Sequence, residues 1–178
     1  MVDYLKTIFF HNATLEQVQQ FVATYPNEIT AGSPFNTGIF NSIYPQYKSL
    51  AALIGDYTFT LTRRLKVTNE VHPTVPSWPY ISSDLYGTPI LGTLHAADIL
   101  KISGYLPGIS SSTIQKHYIS FFHTMDPNQG TTGLINWQSW SEGNQLVQFR
   151  ALDSTLLKNN FKGKSYEFLM KNAGSLHI

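Results

Sequence analysis

The chain of 178 residues contains no cysteine. Disulfide bonds, thiol catalysis and cysteine-ligated metals are therefore excluded. No stretch approaches the roughly 20 apolar residues that a membrane-spanning helix needs. The net charge is only +1, so composition gives no electrostatic reason to expect binding to nucleic acid or to an anionic membrane.

Charged residues are also scarce, at 13 % of the chain, whereas hydrophobic residues make up 42 %. A usual globular protein carries roughly 25 % charged residues. Two interpretations fit this deficit: another segment covers part of the surface, or uncharged Ser, Thr and Asn replace charge, as on secreted proteins. Residues 1–6 lack a basic start followed by an apolar stretch, so we expect no signal peptide in this chain.

Hydrophobic periodicity predicts a helix-rich α/β protein. Thr14 and Gln17 form a capping-box pattern that opens a helix to about Tyr25, which Pro26 ends. Further helices are expected at 46–54, 56–66, 96–102, 113–125, 137–140 and 165–171, the last ended by Gly174, and strands at 80–86 and 145–150. Two or three strands cannot form a complete doubly wound sheet, so the sheet would be incomplete alone and leave an unpaired edge.

Within the predicted helix 56–66, Asp56 is expected to be the N-cap, and Arg63 and Arg64 are expected to face solvent or a partner. Asn12-Ala13-Thr14 matches the N-glycosylation sequon. The capping box gives Thr14 a structural role as well, and locally that interpretation is the better supported.

One loop carries the most informative motif. Residues 87–99 read GTPILGTLHAADI, in which a Gly-x-x-His motif ends at His95 and Asp98 follows three positions later. This segment resembles the histidine loop of the type-B carboxylesterase/lipase family, most closely its fungal branch of secreted lipases and sterol esterases. Other family-like segments occur in the expected order: AGSPFNTG at 31–38, Gly-Asp at 55–56 before Arg-Arg at 63–64, and FFHTMDPN at 121–128 followed by Trp137. The resemblance covers about residues 4–175.

The resemblance implies that residues 1–178 form a single C-terminal segment of a secreted α/β-hydrolase that cleaves carboxylic esters, without cofactor or metal. His95 would be the general base of a Ser-acid-His triad. Asp98 would support His95 without being its direct partner in the triad, because the family's triad acid comes from another strand end. Ile99, Leu100 and Tyr105 would lie near the substrate mouth.

The nucleophile is absent from this chain. No Gly-x-Ser-x-Gly motif occurs, since the nearest candidate, residues 108–112, has serine at its last position. We therefore expect the chain alone to be inactive, and to use an ester or lipid substrate only together with the N-terminal esterase part. It is expected to pair with that part or to self-associate.

Other interpretations remain open at this point. His95 could be a loop histidine with a structural hydrogen bond, and the chain could be a non-catalytic binding or interaction module derived from the esterase fold. An unrelated α/β protein with chance matches is a third reading. His117 and His123 lie six residues apart on a predicted helix and so face different sides, which does not favour a metal site.

Overall fold

The computed structural model of the chain describes residues 1–28, 42–71, 75–86, 88–90 and 92–178. Its helices are α1 (Val2–Ile8), α2 (Leu15–Ala23), α3 (Tyr47–Gly55), α4 (Leu61–Lys66), α5 (Ala97–Ile102), α6 (Ile109–Thr124) and α7 (Gly163–Leu176). Its strands are β1 (Tyr80–Ser82), β2 (Gln145–Phe149) and β3 (Ser154–Lys158). The family-like loop at 31–38 lies outside the described residues.

The chain forms two compact units. The first unit comprises Met1–Glu70 with Asn160–Ile178, and the second comprises Val71–Asn159. We describe each unit by itself.

Helices α1 to α4 and α7 of the first unit surround an apolar core. Its fully buried side chains include Leu5, Phe10, Val18, Phe21, Leu53, Leu61, Leu169 and Leu176. The predicted capping box of α2 is confirmed: the Gln17 N–H donates to Thr14 Oγ1 at 3.1 Å, and the Thr14 N–H donates to Gln17 Oε1 at 2.7 Å. The Gln17 side chain also donates to Asn172 and Ser175 of α7, which ties the start of α2 into the unit.

The prediction that Asp56 caps a new helix is wrong. Asp56 has helical backbone angles (φ −67°, ψ −44°), and the chain continues through a π-helical turn, Asp56–Thr60, directly into α4. Asp56 is buried and accepts a hydrogen bond of 3.1 Å from the Tyr25 hydroxyl. Burial raises the pKa of its carboxyl above the ordinary value, although Lys162 opposes this shift.

The prediction that the arginine pair faces solvent or a partner is wrong for Arg64. Its side chain is buried, and its guanidinium lies 4.5 Å from the ring centre of Phe161 and 5.1 Å from that of Tyr166. One guanidinium nitrogen donates to the Phe161 carbonyl at 2.8 Å. A planar guanidinium satisfies both contacts at once, because it stacks on rings through its face and donates through its edge.

The second unit contains the sheet, in the order β1-β2-β3. β1 pairs with β2 in parallel, with Tyr80 opposite Val147, and β2 pairs with β3 in antiparallel, with Val147 opposite Leu156. Helix α6 packs Ile114 into a core with Trp137, Val147 and Phe149. The expected helix-rich α/β architecture with a small open sheet is thus confirmed.

Several boundaries differ from the predictions. The strand predicted at 80–86 ends at Ser82, and α6 begins at Ile109 rather than at residue 113. The helix predicted at 137–140 is instead a 3-10 turn at Trp140–Glu142. Helix α7 continues through Gly174, with a local break in its helical angles at Asn172.

Candidate functional site

The candidate site lies in the second unit, in the turn that leads into α5. His95 sits in this turn and is exposed. Gly92, three residues earlier, has φ +58°, a left-handed conformation that favours glycine, and no neighbouring atom lies where its Cβ would be. Backbone conformation rather than space therefore explains the glycine of the Gly-x-x-His motif. Ala96 is also left-handed, at φ 68°, and turns the chain from His95 into the helix.

Asp98 fastens the first turn of α5 to strand β1. Its Oδ2 accepts a hydrogen bond of 2.6 Å from the Tyr80 hydroxyl, and its Oδ1 accepts the backbone N–H of Ile99 at 3.0 Å. Burial, followed by the hydrogen bond to Asp98, raises the pKa of the Tyr80 hydroxyl far above its ordinary value. Tyr80 therefore remains a proton donor, and both oxygens of Asp98 are engaged in holding α5.

Tyr80 itself is held by the core beneath α5. Its ring makes edge contacts with Trp137 and Phe149 at 5.6 and 5.7 Å between ring centres. The Tyr118 hydroxyl of α6 lies 3.4 Å from the Tyr80 hydroxyl. The donor of the hydrogen bond to Asp98 is thus held by the core of the second unit.

A buried ion pair holds the second turn of α5, and no pattern in the sequence indicated it. Lys101 and Asp84 form a salt bridge, and the exposed fractions of their side chains are only 4 % and 3 %. The Lys101 ammonium also donates to Ser110 Oγ at 2.9 Å and to the Arg150 carbonyl at 2.8 Å. Asp84 accepts a second hydrogen bond from Ser82 at 3.0 Å. The pair joins α5 to the segment after β1, the start of α6 and the end of β2.

Helix α5 turns charged as well as apolar side chains inward: Ala97 is buried and Ile102 packs against the core of the second unit. Asp98 and Lys101, three residues apart and so on one side, face inward, whereas Ile99 and Leu100 face outward with exposed fractions of 56 % and 40 %. The sequence shows this arrangement only as an apolar pair flanked by two charged residues.

The predicted substrate-mouth residues Ile99, Leu100 and Tyr105 are all exposed, Tyr105 to 79 %. Leu94 and Ile109, near them in sequence, are exposed as well. Single exposed apolar side chains are ordinary, but a concentration of them near one helix is typical of a surface that another segment or a ligand covers.

His117 and His123, the two further histidines of the second unit that the structure describes, do not join the site. His117 is fully buried in α6, with Nδ1 2.7 Å from the Pro127 carbonyl and its ring edge-on to Trp137 at 5.5 Å. His123 is exposed near the end of the same helix. Within the described ranges, no group of three or more His, Asp or Glu side chains could hold a metal ion, and no helix is long and apolar enough to cross a membrane.

Comparison with known proteins shows which proteins the chain is similar to. No family model matches it. Over its full length it is 44 % identical to secreted lipase 1 of Botryotinia fuckeliana and 39 % identical to a secreted triacylglycerol lipase of Gibberella zeae, of which it covers 32 % and 31 %. Lipase 4 of Diutina rugosa is 37 % identical over 99 % of the chain, which covers 32 % of that lipase.

The solved structure of EstA from Aspergillus niger matches 99 % of the chain with a TM-score of 0.69 at 16 % identity, and the chain covers 36 % of it. The second unit's partly parallel sheet and this likeness define the fold as part of an α/β-hydrolase. Over its whole length the chain is similar to fungal secreted lipases, and its fold matches part of a fungal esterase; both agree with the C-terminal part of the fungal lipase and esterase family and confirm the resemblance found in the sequence. It spans about a third of the length of the curated relatives that it matches.

Proposed function

We propose that this chain is the C-terminal segment of a serine carboxylic-ester hydrolase, a lipase or esterase, in which His95 is the general base. The serine nucleophile, the oxyanion hole and the triad acid would come from a segment outside these 178 residues. The observation that carries the proposal is the exposed His95 in a family-type turn directly before a firmly anchored helix. By the same family membership, we propose that the protein is secreted.

The chemistry assigned to His95 is proton transfer in two directions. The imidazole takes the proton of the serine hydroxyl while the serine oxygen attacks the ester carbonyl, and the resulting imidazolium gives that proton to the departing alcohol. In the second half of the reaction the imidazole takes a proton from the water that attacks the acyl-enzyme, and it returns that proton to the serine oxygen as the acid leaves. An exposed imidazole on a rigid helix end suits this role, because the ring must meet a serine on another segment.

The outward apolar side chains of α5 support the same proposal. Burying apolar surface contributes about 25 cal/mol per Å², so Ile99, Leu100 and Tyr105 lose that stabilisation while they remain in water. In the complete hydrolase we place them against the upstream segment or at the mouth of the acyl site. The scarcity of charge in the chain agrees with such a covered surface.

A chimera tests the proposal. In secreted lipase 1 of Botryotinia fuckeliana, the segment that this chain matches at 44 % identity would be replaced by the chain. Hydrolysis of a short-chain nitrophenyl ester would then be measured for the chimera and for its His95→Ala and His123→Ala variants. His123 is the matched control, because it is also an exposed histidine of the second unit.

We expect the chimera and the His123→Ala variant to hydrolyse the ester, and kcat of the His95→Ala variant to fall by about 10⁴-fold or more, as for loss of a triad member. Equal activity of the His95→Ala variant would refute the role of His95. A chimera that folds cooperatively but is inactive would instead favour a non-catalytic binding module derived from the esterase fold.

A further inference from the structure

Asn12 begins the one sequon of the chain, Asn12-Ala13-Thr14. It lies in the short turn between α1 and α2 and is exposed. Neither helix has to open for this side chain to be reached. Ala13 beside it is buried, so the turn is fixed to the unit while the Asn12 side chain stays exposed. The capping role of Thr14 does not conflict with a second role for the same three residues.

We propose that Asn12 is a site of N-linked glycosylation. The inference rests on the secretory route given under the proposed function, and it adds a covalent modification that the catalytic proposal does not need. The co-reactant is a lipid-pyrophosphate-linked oligosaccharide. The Asn12 amide nitrogen attacks the anomeric carbon of the sugar, the bond from that carbon to the pyrophosphate oxygen breaks, and the lipid pyrophosphate leaves with the bonding electrons while the nitrogen gives up one proton.

The folded structure accommodates the product. The Asn12 amide nitrogen contacts His177 Nε2, close to the end of α7. A primary amide has two N–H groups, and glycosylation replaces only one of them. The remaining N–H can therefore still donate to His177 after the oligosaccharide is attached.

The experiment must separate loss of the sequon from loss of the helix cap. Thr14→Ala removes both, because Thr14 Oγ1 accepts the Gln17 N–H. Thr14→Asp destroys the sequon but keeps an N-cap acceptor, and its negative charge is favourable at a helix N-terminus. Thr14→Ser keeps both. These two variants, with Asn12→Gln, isolate the chemistry of the sequon.

The full chain would be expressed behind a cleavable leader in a eukaryotic secretory host, and intact mass would be measured before and after treatment with peptide N-glycanase. Removal of the leader reports entry into the secretory compartment, so the result does not depend on ester hydrolysis. We expect one oligosaccharide on the native chain and on the Thr14→Ser variant, and none on the Asn12→Gln and Thr14→Asp variants. Native chain that has lost its leader but carries no sugar would overturn the proposal, as would a sugar that persists in Asn12→Gln.

Discussion

The buried pair of Lys101 and Asp84 gives the sharpest quantitative prediction. Replacing Lys101 by Met removes the cation but leaves the carboxylate of Asp84 buried, with Ser82 as its remaining hydrogen-bond donor among the contacts described above. Breaking a buried pair in this way costs about 3–5 kcal/mol, because the surviving charge is uncompensated. Asp84→Leu should cost a similar amount, because the ammonium of Lys101 then keeps only Ser110 and the Arg150 carbonyl.

The double variant Lys101→Met/Asp84→Leu should behave differently. Replacing both charges by apolar groups is often neutral or stabilising by about 1–4 kcal/mol. Against this, the buried Ser110 hydroxyl loses its donor, at about 1–3 kcal/mol for a buried group left unsatisfied. The Arg150 carbonyl loses the same donor at no more than that cost, because Arg150 is an exposed residue. We therefore expect the free energy of unfolding of the double variant to lie within about 2 kcal/mol of that of the native chain. Its loss of stability would then be much smaller than the sum of the two single losses.

Urea unfolding at fixed protein concentration measures all four free energies of unfolding. Lys116→Met is the control, since Lys116 is an exposed lysine on α6, and surface substitutions usually change stability by at most about 0.5 kcal/mol. A double variant whose loss equals the sum of the two single losses would refute the reasoning, because independent residues are additive.

Three further predictions concern contacts described above. Tyr80→Phe should lower the free energy of unfolding by about 1–2 kcal/mol, since it removes the hydrogen bond to half-buried Asp98 and with it the 3.4 Å contact from the Tyr118 hydroxyl. Tyr118→Phe loses only that 3.4 Å contact and should change little in the same urea titration; equal effects of the two variants would contradict the geometry. Thr14→Ala should lower the free energy of unfolding by about 1 kcal/mol and Thr14→Ser by much less, because only the first removes the cap of α2. Equal thermal unfolding midpoints of the two variants would argue against this capping role. Burial raises the pKa of Asp56, so the folded state holds its proton more tightly than the unfolded state, and the free energy of unfolding falls as pH rises from about 3.8 through the raised value. The Asp56→Asn variant should lack this fall. A free energy of unfolding that instead rises with pH in the native chain relative to the variant would exclude the burial effect.

Local signals made part of the fold predictable. The Thr14–Gln17 capping box located α2 because both of its hydrogen bonds are formed between residues three apart. The alternating pattern at 145–150 located β2. Helix α1 was missed because its N-cap is Met1, which offers no side-chain acceptor. Strand β3 was missed because its sequence, STLLK, has polar ends and little alternation.

The charged residues show where sequence reasoning stops. Arg64 is buried against a carbonyl 97 residues away in the chain, and Lys101 against the Arg150 carbonyl, 49 residues away. Sequence spacing treats such side chains as solvent-exposed, because their compensating partners are defined only by the tertiary structure. The motif singled out His95, and its catalytic role stays a prediction, whereas the inward-facing charged residues of the helix that follows it were not predicted.

The most direct test of the central claim is the rate at which a serine-directed phosphonate labels the Botryotinia fuckeliana chimera. Phosphonylation needs an activated serine but no ester turnover, so it reports activation of the nucleophile without the deacylation step. We predict that His95→Ala slows labelling by a factor comparable to its loss of kcat, while His123→Ala leaves the rate unchanged. Labelling of the His95→Ala chimera at the native rate would contradict the claim that His95 activates the nucleophile.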